Sequence, residues 1–148
     1  MKYVTLQSLI SRGENSLPPR ALKLLRQPLV EELIRYQTSH AGSHEGSLTC
    51  KTVELSEDFT LVRVTDASSN EELNVKAWGA LLLEAIGHNK RGGDKKLEAI
   101  AHECLKGNFS TLEEIHLAIE RMVSSRIYLL LLAIIAAGLA LMWLGQHH

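Results

Sequence analysis

Four cations crowd the segment His88-Asn89-Lys90-Arg91-Gly92-Gly93-Asp94-Lys95-Lys96, directly ahead of an expected helix. The chemistry this composition offers is anion binding. Backbone N–H groups at a helix amino terminus point at a ligand, and glycines let a phosphate come close. A phosphorylated ligand, a nucleic acid or a lipid headgroup fits, with Lys90, Arg91, Lys95 and Lys96 as the contacting residues. A plain solvated turn between two helices has the same composition.

Metal binding is the second chemistry that the residue types raise. His40, His44 and Cys50 lie close in sequence, with His102 and Cys104 further on. Two imidazoles and two thiolates suffice for a tetrahedral zinc site. The spacing argues against it: the histidine pair sits in a Gly/Ser loop, and side chains two apart on a helix, as His102 and Cys104 are, point about 200° from each other. Neither a metal nor a cofactor is expected. The nucleophile pattern Gly-x-Ser-x-Gly and the phosphate-binding pattern G-x-x-x-x-G-K-[ST] are absent, and no carboxylate spacing nominates an acid/base pair. An enzyme is not expected. Cys50 and Cys104 are the sole cysteines and form no C-x-x-C motif. In a cytosolic head they stay reduced and serve as small buried hydrophobes.

The residues with the strongest pattern do no chemistry. From Ile127 to Leu144 the chain reads IYLLLLAIIAAGLALMWL, without a charge. Eighteen residues at 1.5 Å rise just cross the hydrocarbon layer of a bilayer, and a helix is the one single segment that satisfies its own backbone there. Tyr128 and Trp143 stand near opposite ends, where amphipathic rings favour the headgroup level. Arg121 and Arg126 precede the span, and no Lys or Arg follows it. The expected topology is therefore a single-pass, tail-anchored protein, its amino-terminal domain cytosolic, in a bacterial inner membrane or a eukaryotic organelle membrane. The start of the chain, Met1-Lys2-Tyr3-Val4-Thr5-Leu6, lacks the apolar run of a secretory signal.

The expected division is a soluble α+β domain over residues 1–110, a juxtamembrane helix over 111–126, a transmembrane helix over 127–145 and a short far-side tail at 146–148. The fold class is mainly α with a small β-hairpin, followed by the single membrane helix. Charge is segregated within the head. Residues 1–40 are rich in Lys and Arg, whereas residues 41–87 are rich in Asp and Glu. The basic part can face anionic lipid or another acidic partner, or can be an ordinary solvated surface.

Within the head, Tyr3 to Ser11 reads as a short helix. Pro19 suits the first turn of the next, where its missing N–H costs nothing. Leu22, Leu25, Leu29 and Leu33 follow a three-four spacing that Pro28 interrupts, giving two short helices or one kinked helix ending near Thr38. Leu48–Leu55 and Phe59–Asp66 are rich in β-branched residues and form the hairpin, with Ser56-Glu57-Asp58 as its turn. Ser69 and Glu72 make a capping box ahead of a helix that carries Val75, Trp78, Leu82 and Ala85 on one face. A third strand over Leu73-Val75-Ala77 is the competing assignment. Asp94 caps a helix through Leu105, with Leu97, Ile100, Ala101 and Cys104 inward. Ser110 and Glu113 form a second capping box, and the helix from Thr111 can run unbroken into the span.

The order of helices and hairpin over residues 3–66 resembles a winged helix-turn-helix, a DNA-binding arrangement, in order only. Glu31 and Glu32 near the start of the third helix would repel phosphate, so DNA binding is not expected. Leu112, Ile115, Ile119 and Met122 suit either a coiled-coil seam or docking onto the head's own core. Ala133 and Ala137, like Ala136 and Ala140, permit close approach of a second span. Two functions follow. In one, the head is a non-enzymatic adaptor or regulatory module that holds a protein partner, a second copy or a phosphate-bearing ligand at the bilayer. In the alternative, it senses a ligand such as a nucleotide and oligomerises to perturb the membrane. Toxicity that depends on the native span separates the second from the first.

Overall fold

The structure is a computed structural model that describes residues 2–13, 16–40, 46–88 and 95–146, without the side chains of 123–126. It is mostly helical, with a small antiparallel sheet and one long apolar helix at the carboxy-terminal end. The chain opens with β1 (Tyr3–Thr5) and α1 (Leu6–Ile10), where a single helix was expected from Tyr3. Tyr3, Val4 and Thr5 have the shape for a pleated strand, and β1 pairs antiparallel with β2 (Val53–Ser56) in the register Val4↔Leu55. Thr5 ends the strand and also caps the helix, its hydroxyl accepting from the Ser8 N–H at 3.1 Å.

The leucine-rich stretch divides at Pro28 as its sequence requires, into α2 (Pro19–Leu24) and α3 (Gln27–Ser39). Each begins with a proline in its first turn. The junction leaves the Leu25 carbonyl without a helical partner. The Trp78 indole N–H, from α4 (Glu71–Gly87), donates to it at 2.9 Å, so one fully buried ring both fills the core and closes a helix end.

The hairpin is present but shorter than expected, and β1 adds a third strand to it. β2 pairs with β3 (Val62–Val64), in strand order β1-β2-β3. Leu48–Thr52 makes a threonine-bonded turn rather than strand, the Thr52 hydroxyl accepting from the Thr49 N–H at 2.9 Å. Phe59 to Leu61 belongs to the connection. There the buried Ser56 hydroxyl accepts from the Thr60 and Leu61 N–H groups and donates to Asp58 at 2.7 Å. These bonds hold Phe59 at φ 54, a left-handed conformation that a bulky side chain rarely adopts.

Residues 71–87 are helical, as favoured over a third strand. The cap, however, is Asn70, whose side chain accepts from the Leu73 N–H, not Ser69. α5 (Lys95–Leu105) follows, with Leu97, Ala101 and Cys104 buried and Ile100 half-buried. Asp94, its expected cap, lies outside the described residues. At the start of α6 (Leu112–Gln146) the cap is Thr111, one residue past Ser110, its hydroxyl accepting from the Glu114 N–H at 3.2 Å. The Glu71 carboxylate accepts from the Leu112 N–H at 2.9 Å, fastening the start of α6 to the start of α4.

α6 has two environments. Leu112, Ile115, Ile119 and Met122 are buried in the same core as the leucines of α2 and α3. This is the docking role rather than the seam, and by packing the head extends through residue 122. From Ile127 the helix is apolar and uncovered, with Ile134 and Leu141 65% and 71% exposed. It is long and apolar enough to cross a membrane.

Candidate functional site

The expected anion-binding residues divide between described and undescribed positions. Lys90 and Arg91 lie outside the described residues. Lys95 and Lys96 are exposed in the first turn of α5, where they add charge to the positive end of the helix dipole.

Among the described residues, the histidines and cysteines do not gather. His40 stacks on Tyr36 with ring centroids 4.0 Å apart, and its Nδ1 is 3.0 Å from the Tyr36 carbonyl. His102 is exposed, Cys104 is buried, and His44 lies outside the described residues. Among the described residues, no three metal-ligating side chains converge.

Cys50 lines a recess of about 380 Å³ between the Leu48–Thr52 turn and α4, together with Gln7, Lys51, Ala77, Leu81 and Glu84. Its thiol donates to the Glu84 carboxylate at 3.4 Å. Burial, and then the negative charge of Glu84, push the thiol up to about 12. The thiolate is the nucleophile, so this arrangement suppresses cysteine chemistry instead of promoting it. Burial pushes Cys104 to about 12 as well, with Glu103 adding to the shift.

A second cleft, of about 450 Å³, opens where α2, α3, the hairpin connection and α6 meet. Three cations border it: Arg20 and Lys23, one turn apart on α2, and Arg26 at the α2–α3 junction. Its apolar surface comes from Leu24, Pro28, Phe59, Ile119 and Met122. Gln27 and Thr60 complete the lining among the described residues, none of which is Asp or Glu. Arg20 and Lys23 are exposed, and neither makes an ion pair among the described residues. Gln27 donates through Nε2 to the His116 carbonyl at 3.5 Å, while its Oε1 is buried without a hydrogen-bond partner. The strained Phe59 contributes its ring to the same cleft, and strain of this kind persists where the surroundings impose it.

Sequence reasoning found the basic amino-terminal part but not this cleft, because its walls come from four separate elements. The available signal was Arg20 and Lys23 at a helical spacing of three, beside a proline-broken leucine stripe. The remaining nominees are on α6: Ala133 and Ala137 lie on its uncovered part, and Leu112, Ile115, Ile119 and Met122 on its buried part. Comparison with protein-family models, curated proteins and solved structures finds no match.

Proposed function

We propose that the chain is a single-pass membrane protein whose head is a non-enzymatic binding module, held at the bilayer surface by α6. The observation that carries this reading is the division of α6. One helix supplies core residues to the head through Met122 and then becomes uncovered and apolar from Ile127. A helix exposed on every side in its apolar half requires an apolar surrounding, and a bilayer is the one that fits its length. Arg121 and Arg126 on the head side of the span support a cytosolic head. Confinement to a surface raises the effective concentration of head and partner, so a module with modest intrinsic affinity binds well. The partner is a protein, a second copy of this chain, or a phosphate-bearing ligand.

The test is protease protection. Protease added outside right-side-out cells or vesicles should spare residues 1–120, and digestion of the head from outside would reverse the orientation. Replacing residues 127–144 by an unrelated span should leave the activity of the head intact. Loss of activity with the foreign span would move the output into the membrane and favour an effector that acts through its anchor.

A further inference from the structure

We propose that the head rests on the anionic surface of the bilayer that α6 enters, through the face that carries Arg20, Lys23 and Arg121. The proposal rests on the membrane-anchored reading and names the surface by which the head meets the membrane.

Charge selects an anionic partner. All three side chains are exposed, and none makes an ion pair among the described residues. Arg20 and Lys23 are one turn apart on α2 and so share a side of that helix. Arg121 is on α6, one residue before Met122. The acid beside it in the chain, Glu120, contacts the His116 Nε2 at 3.2 Å, and the three cations outnumber it.

Position selects the bilayer as the partner. Arg20 and Lys23 border the cleft that Ile119 and Met122 also line. Met122 is the last described side chain that α6 buries in the head. It precedes Ile127, where the apolar stretch begins, by five residues of helix, a rise of about 7.5 Å. The charge of a surface is felt over about 8 Å at physiological salt. With Ile127 at the edge of the hydrocarbon, this end of the head stands within reach of the lipid phosphates. The other end does not: Leu112, at the start of α6, is fifteen residues from Ile127, about 22 Å along the helix.

The leaflet facing a cytosolic head carries the anionic lipid, and each Lys or Arg close to it strengthens attachment about fivefold. Cations too few to recruit a free protein to a membrane suffice here, because the anchor already confines the head. Their work is to set how the head lies on the surface.

Lysine acylation on the full-length chain reconstituted in vesicles tests this, with a membrane-impermeant reagent and the rate at each lysine read by mass spectrometry. Only a neutral amine reacts, and a negative surface holds lysines in the cationic form. When about one third of a phosphatidylcholine bilayer is replaced by phosphatidylglycerol, Lys23 should react about fivefold more slowly. Lys76 is the internal reference. It is exposed and borders a recess with Ser110, just ahead of the start of α6, and its rate should be unchanged. In about 1 M salt, which screens charge beyond about 3 Å, the slowing of Lys23 should vanish. Arg20→Gln combined with Arg121→Gln should remove most of the slowing at low salt, because the head then no longer rests on the surface. A Lys23 rate indifferent to anionic lipid overturns the proposal, as does equal slowing at Lys76. Slowing that survives the double substitution also overturns it, since nearness to the anchor alone would then account for it. Flotation separates the two levels of the argument. A chain that floats with vesicles but shows no slowing refutes the docking face alone, and a chain that floats with vesicles of neither composition refutes the anchor.

Discussion

At the scale of the residue, Trp78 and the two thiols show how much environment sets behaviour. Trp78 is fully buried and donates to the Leu25 carbonyl that ends α2. Trp78→Ala should lower stability by about 3–5 kcal/mol, read from denaturant unfolding, because it opens a cavity and strands that carbonyl. Cys50 and Cys104 start from an ordinary value of 9.0 and are pushed to about 12 in the folded head. A raised thiol makes the folded state hold its proton longer than the unfolded state does. The resulting stabilisation is complete below pH 9 and is lost as pH rises from about 9 toward about 12. Cys50→Ala with Cys104→Ala should therefore flatten the alkaline loss of stability relative to the parent chain. At pH 8 both native thiols should resist alkylation until denaturant is added. The inward face holding Trp78 was legible as a three-four spacing. The caps were legible only to within one residue: Asn70 caps in place of Ser69, and Thr111 in place of Ser110. Neighbouring residues of equal capping ability compete, and the backbone geometry that packing imposes decides between them.

At the scale of the element, local pattern identified what local forces determine. Pro19 and Pro28 set where α2 and α3 begin, and the β-branched runs gave the hairpin. β1 was not legible. Three residues are too few for an alternation to show, and the partner of Tyr3 is Ser56, far along the chain. The cationic cleft escaped for the same reason, since four elements must pack before it exists. One close helix contact is also non-local. A Cβ on Gly79 of α4 would meet the Ala101 carbonyl oxygen of α5 at 2.7 Å and the Cys104 Cβ at 2.9 Å. Gly79→Ala gains about 1 kcal/mol in helix propensity, yet forces the two helices apart at about 1–3 kcal/mol. The expected net result is a lower midpoint in thermal unfolding, although alanine is the better helix former.

At the scale of the whole molecule, the head does not end where the sequence pattern changes. A division near residue 110 separates Leu112, Ile115, Ile119 and Met122 from a core that they complete. A chain stopped after Met122 should be soluble and unfold cooperatively. One stopped after Ser110 should lose cooperative unfolding and expose apolar surface, read by dye binding and calorimetry. The apolar stretch was legible as a helix long and apolar enough to cross a membrane because its composition needs no tertiary context. Its junction with the head was not, because Leu112, Ile115, Ile119 and Met122 suit a seam between chains as well as a place in the core.

On the proposed membrane-anchored reading, a helix shared by the head and the apolar stretch acts as a shaft as well as a tether. Each residue advances it by 1.5 Å and turns it by about 100°. One residue inserted between Met122 and Ile127 would swing the head to a new bearing around the shaft with almost no change in altitude. Seven inserted residues, close to two full turns, would nearly restore the bearing while raising the head about 10 Å above the bilayer. Compass direction and elevation are thus separately adjustable by insertions between Met122 and Ile127, and each setting presents the cleft differently to whatever lies beneath it.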